Sequence, residues 1–350
     1  MVSIRLLGWI GAAAAALGVT VAATRGPEAL VSWIPFAERF YTRWIPPEAP
    51  QLGGVSEQER SAFGRLAAEV SGRVVWSSNR EGNHELYLVD LGTGAERRLT
   101  TDPHVDFFSR FSPDGRQISF LRSRREWVSF RDLDGWDAWV MNADGGNARR
   151  VARRAYHPVW TPDGSGLIYV QANAVVRLDL ASGEETVLQR GPDPPTGGNV
   201  EEAELSAGGL LGVTLRNVPG EGVGIVDLDA GTYRGLSSVR ACQITWTPNG
   251  GQAVWIDPGG HGGTRVMHAD VNGGEERILI DLPGEYSHEY FPRVTGDGRW
   301  LIWGASAGGH EHDRADYEVF VWQIGSPSDA ALRLTYSASN DQWPDFYIDP

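Results

Sequence analysis

The sequence predicts an all-β fold, a six-bladed β-propeller of four-stranded antiparallel blades, on three observations. A unit of roughly forty to fifty residues recurs from Arg73 to the end. Each unit places a short turn of one pattern between two β-rich runs: SPDG at 112–115, TPDG at 161–164, SAGG at 206–209, TPNG at 247–250 and TGDG at 295–298. The last segment, NDQWPDFYI at 340–348, reads as a first strand with no blade after it, while the first unit lacks a first strand. The C-terminal strand therefore closes the ring, and residues 73–350 form one domain.

Along the chain, residues 6–23 (LLGWIGAAAAALGVTVAA) form an uncharged run of 18 behind Arg5, long enough to cross a bilayer as a helix. Positive charge before it places the N-terminus in the cytoplasm. Val21-Ala22-Ala23 also suits signal cleavage, so residues 1–25 read as a transmembrane anchor or a signal peptide. Trp33, Phe36, Phe40, Tyr41 and Trp44, with few charges among them, have the composition of a membrane-interface belt and favour the anchor. PPEAPQLGG at 46–54 is an extended linker, and Ser56 with Glu59 makes a capping box for a short helical strap, the last part of the segment 26–72.

Within the repeat, Pro followed by Asp-Gly or Asn-Gly supplies the dihedrals of a hairpin turn. Second strands such as RQISFL, GLIYVQ and RWLIWG, and third strands such as ELYLVDL and YEVFVWQ, are short and β-rich. Gly turns lead into fourth strands such as ERRLT and LRLT. First strands begin near His104, Tyr156, Glu201, Cys242, Glu289 and Asp341. The units FSRFSPDGRQISFL, DAWVMNADGGNARRV, HPVWTPDGSGLIYV and ALRLT resemble the PD40 (WD40-like) repeats of TolB-type β-propellers, bacterial proteins of the envelope. That resemblance covers residues 73–350 and implies the propeller fold. Its function stays open, because such propellers serve as scaffolds, binding modules and halves of enzymes.

Composition narrows the chemistry. All 31 cations are arginine, and the net charge of −14 with no basic stretch excludes nucleic acid as a partner. The single cysteine, Cys242, excludes an internal disulfide. No GxSxG elbow, P-loop or dinucleotide fingerprint occurs, so no catalytic residue is assigned.

Strand direction sorts the loops onto two faces. A turn face carries the SPDG-type turns; a loop face carries the second-to-third-strand loops, the blade connections and seven of the eight histidines. The loop face is expected to hold the site. His288, His310, His312 and Asp316, with Glu289 nearby, are the expected ligands of a divalent metal, the one cofactor considered. Asp132, Asp134 and Asp137 faintly resemble a calcium loop. Trp127, Phe130, Arg131 and Trp136, in a loop with Arg122, Arg124 and Arg125, are the expected partner contacts, joined by Trp33, Phe36, Phe40 and Trp44 of the belt.

Two readings follow. The first is a membrane-tethered, periplasm-facing scaffold or accessory subunit whose partners are other membrane or envelope proteins. The alternative is a metal-dependent lyase or hydrolase on the His/acid cluster.

Overall fold

The structure, a computed structural model, describes residues 46–350 except 219–221, 238–239 and 310. The anchor expected at 1–25 and the aromatic belt with Trp33, Phe36, Phe40 and Trp44 lie outside the described residues. Among the described residues no helix is long and apolar enough to cross a membrane. The chain divides into two units, Met1–Pro47 and Glu48–Pro350, and the second carries the β-structure.

Six four-stranded antiparallel sheets follow one another, each ordered from an inner to an outer strand. The inner strands of blades two to six are Asp106–Phe111, Tyr156–Trp160, Asn199–Leu205, Cys242–Trp246 and His288–Val294. Blade one takes its inner strand, Asp341–Ile348, from the C-terminus, which pairs from Gly72↔Ile348 to Ser78↔Asp341. All six first strands thus stand where the repeat put them, and the ring is closed as expected.

The turns explain the repeat. In the first, the Asp114 carboxylate accepts the Ser112 hydroxyl (2.6 Å) and the Arg116 N–H (3.0 Å), and Gly115 takes φ 67°. Thr161/Asp163, Thr247/Asn249 and Thr295/Asp297 repeat that geometry. An Asx side chain mimicking a backbone turn, followed by glycine in the left-handed region, is what the PDG and PNG sequences encode.

Apolar side chains pack between the faces of neighbouring blades. Trp76, Trp255 and Trp303 are fully buried there. Blades also bond through inner strands: Trp160 Nε1 donates to the Arg110 carbonyl (3.0 Å) and Trp246 Nε1 to the Glu204 carbonyl (2.9 Å).

The strap forms as the helix Glu57–Ala67, with both bonds of the Ser56/Glu59 capping box. It is part of the propeller body. Val55, Ala62, Phe63 and Leu66 pack with Val74, Trp76 and Tyr87 of blade one and Trp300 and Val319 of blade six. The preceding linker is held as well, since Gln51 bridges Glu81 and the Leu52 N–H donates to the Arg80 carbonyl (2.7 Å).

Candidate functional site

The inner strands line the central channel, and each is bulged against its second strand. At five of the bulges a non-glycine residue sits in the left-handed region: Phe108, His157, Gln243, Phe291 and Trp343. Such a conformation costs about 1 kcal/mol or more per residue and holds only where packing over-determines it. Here it turns those five strands at the channel, where Phe108, His157, Phe291 and Trp343 pack together. Phe108, Phe291 and Trp343 meet at 4.0–4.7 Å between ring centroids, with His157 4.1 Å from Phe108.

Towards the loop face the aromatic plug is completed by two loops. Phe130 of blade two packs at a tilt against Tyr156 and Trp343 and edge-on against His312. The Asp313 carboxylate, from blade six, accepts the Ser129 hydroxyl (2.5 Å) and the Phe130 N–H (2.9 Å). Arg131 pairs with Glu311 at 2.9 Å. Burial pushes the Asp313 carboxyl up to about 6. These contacts make a lid over that end of the channel.

The lid corrects the expectation of an exposed partner loop. Trp136 is fully buried and stacks on Phe107, because it begins the third strand of its blade and faces the main core. Trp127 and Phe130 are half-buried against the same core. The four loop arginines all meet carboxylates of this chain: Arg122 with Asp106, Arg124 with Asp137, Arg125 with Asp132 and Arg131 with Glu311. Asp137 is further held by Arg150 and the Arg154 N–H, so Asp132 and Asp137 of the faint calcium pattern serve ion pairs.

The expected metal ligands are placed as follows. His312 is buried in an aromatic nest with Tyr290, Phe291 and Tyr317, and its carbonyl accepts from Asn340 and Gln342. His288 stacks on Tyr290. Burial, then the nearby Asp341 charge, pushes Asp316 up to about 6. His310 lies outside the described residues. Among the described residues no group of three or more His, Cys, Asp or Glu side chains is arranged to hold a metal ion. His84, another loop-face histidine, is buried beside the Ser77 hydroxyl, and burial pushes it down to about 3, so it stays neutral.

The turn face is open. A funnel of about 500 Å³ narrows towards a neck of about 10 Å³, space for about one water. Its walls are Trp160 and Trp246 with the turn prolines Pro113, Pro162 and Pro248. Its floor carries Arg110, Glu204, Arg293 and Asp345. All four occupy the same strand position, two residues past the bulge; Val159 and Thr245 fill it in the other two blades. Arg293 donates to Glu204 (2.5 Å) and to the Thr245 hydroxyl (2.8 Å). The Asp345 carboxylate accepts the N–H groups of Phe111 (2.7 Å) and Phe346 (3.0 Å). Burial, reinforced by the Arg293 charge, pushes the Arg110 guanidinium down to about 9. It therefore stays charged at neutral pH. A preformed concavity with apolar walls and a few convergent polar groups can bind an extended ligand. The sequence reading looked to the loop face and missed the funnel. Its signal was a charged residue in the same place in four of the six inner strands.

Residues 70–197 match the family described as the TolB beta propeller domain, PD40. The chain is 43% identical over 44 residues to a TolB homolog of Chlorobium chlorochromatii (strain CaD3), covering 13% of this chain and 10% of that one. It is 33% identical over 95 residues to the uncharacterized peptidase YuxL of Bacillus subtilis (strain 168), covering 26% of this chain and 11% of that one. It thus spans about a tenth of the length of either relative. In structure it is similar to TolB from Acinetobacter baumannii, with a TM-score of 0.59 at 14% identity over 79% of this chain and 66% of that one. On its repeats, that match and its six closed blades, the chain is a six-bladed propeller similar to the TolB-type PD40 β-propellers.

Proposed function

We propose that this chain is a membrane-tethered, periplasm-facing propeller that acts as a non-catalytic protein-binding scaffold or accessory subunit of an envelope complex, receiving its partner in the turn-face funnel. The observation that carries this reading is the funnel itself. It is open, walled by Trp160, Trp246 and three turn prolines, and floored by Arg110, an Arg293–Glu204 pair and Asp345, each held by hydrogen bonds. Aromatic anchors beside fixed polar groups suit an inserted segment of another protein. The opposite end of the channel is closed by Phe130 and the Asp313 contacts. The uncharged run at 6–23 and the aromatic belt behind it support the tether.

Gly296 lines the funnel, and a Cβ there meets nothing within 4 Å, so Gly296→Trp adds an indole at the funnel without a backbone-level clash. The tagged chain and this variant are purified from the membranes of the cells that make them, and co-purifying proteins are identified by mass spectrometry. The wild type is expected to bring a defined partner that the variant loses. An unchanged partner set, or a wild type that purifies alone, overturns the reading.

A further inference from the structure

The floor of the funnel holds one arginine whose burial the fold alone does not explain. Arg110 is 3% exposed, and among the described residues it has no ion pair with any carboxylate. Its Nη1 donates to the carbonyls of Ser109 (2.8 Å), Pro344 (3.3 Å) and Trp343 (3.5 Å). Its guanidinium lies 4.2 Å from the centre of the Phe108 ring, and its Nε has no hydrogen-bond partner. The two carboxylates beside it are engaged elsewhere, Glu204 by Arg293 and Asp345 by two backbone N–H groups. Taking a guanidinium out of water without a counter-charge is expensive, and fully formed folds pair such groups. Arg110 lines both the funnel and its neck, so the missing acceptor has a route in.

Resting on the funnel reading, we propose that Arg110 is an anion subsite that takes the carboxylate of an inserted peptide, with the Trp and Pro walls holding the residues behind it. A carboxylate is favoured over a phosphate for two reasons. Glu204 and Asp345 also face the floor, so a dianion would meet more repulsion there than a monoanion. The planar Nε/Nη edge of arginine also matches a carboxylate bidentately. The neck of about 10 Å³ bars deeper passage, so the group that reaches Arg110 is a chain end or the tip of a side chain.

The test is calorimetric titration of the purified full-length chain, in carboxylate-free buffer, with benzoate and with benzamide, its neutral isostere. Benzoate is expected to bind at least tenfold more tightly. Arg110→Met is expected to abolish that preference while its Tm in the same buffer equals or exceeds that of the wild type, since it removes an uncompensated buried charge. A purely structural arginine predicts the opposite, a lowered Tm. Arg110→Lys keeps the charge but not the fork, and is expected to keep the preference at reduced affinity. Ala-Pro-Leu with a free C-terminus, set against N-acetyl-Ala-Pro-Glu amide, tells a chain-terminal from a side-chain carboxylate. Equal binding of benzoate and benzamide, no benzoate binding, equal binding of inorganic phosphate, or a preference that survives in Arg110→Met overturns the assignment. If that happens while Gly296→Trp still sheds its partner, the scaffold reading stands and only the carboxylate subsite falls.

Discussion

Arg80 is the test of how the ring is locked. It is 1% exposed and sits where blade one, the C-terminal strand and the helix Glu57–Ala67 meet. Its guanidinium donates to both oxygens of Glu59 (3.1 and 3.2 Å) and both of Asp341 (3.0 and 3.3 Å), while Nε bonds the Ser78 hydroxyl at 3.0 Å. One cation thus holds two buried carboxylates. Arg80→Met keeps most of the bulk over Trp76 and Tyr87 but leaves both carboxylates without it. Removing one partner of a buried ion pair costs about 3–5 kcal/mol, a large part of the about 5–15 kcal/mol that stabilises an ordinary protein. Glu59→Gln leaves Arg80 paired with Asp341 and removes one charge-assisted contact, so its loss should be at most about half as large. The assay is urea unfolding followed by tryptophan fluorescence, repeated at pH 7 and pH 5. The Arg80→Met deficit should shrink at pH 5, where protonation relieves the stranded carboxylates. An Arg80→Met protein within about 1 kcal/mol of wild type, or a Glu59→Gln variant equally damaged, refutes the argument.

Other outcomes follow from the same contacts. Burial pushes Glu202, Glu289 and Glu318 up to about 8, and Glu85 to about 7. The native state therefore binds more protons than the unfolded chain between pH 4.5 and 8, and stability should rise as pH falls from 8.5 to 5.5. The buried histidines His84 and His157, held below their usual value, oppose the rise once the unfolded chain protonates them below about pH 7, so the gain should be steepest from pH 8.5 to 7, whereas Asp163 at about 2 loses its contribution only below that window. A Tm series over this range checks the slope, which Glu202→Gln should flatten; a Tm that falls steadily on acidification from pH 8.5 contradicts it. Trp136→Ala, at a residue with no exposed surface, should cost about 3–5 kcal/mol in the same urea assay. A loss below about 1 kcal/mol would mean that Trp136 is a surface residue after all.

The fold was legible because its signal is local and repeated. Each PDG or PNG turn fixes its own hairpin through an Asx carboxylate or amide, and the unmatched NDQWPDFYI segment announces the closing strand. The strap helix was legible from Ser56 and Glu59, but not its docking, because its apolar face packs on residues of blade one and blade six, which lie far apart in the sequence. The funnel was not legible for a related reason. Histidines and long loops mark the loop face in the sequence, yet Phe130, His312 and Asp313 turn inward to close the channel there. What shapes the funnel is the bulge in each inner strand, which aligns Arg110, Glu204, Arg293 and Asp345 at one level. No single strand reveals that alignment.

The central claim is that the turn face, not the loop face, meets the partner. Site-specific photocrosslinking from a benzoylphenylalanine placed at residue 296 or at residue 127 tests it directly in the cells that make the protein. The account predicts a discrete crosslinked species from 296 and none from 127. A crosslink from 127 alone would contradict it.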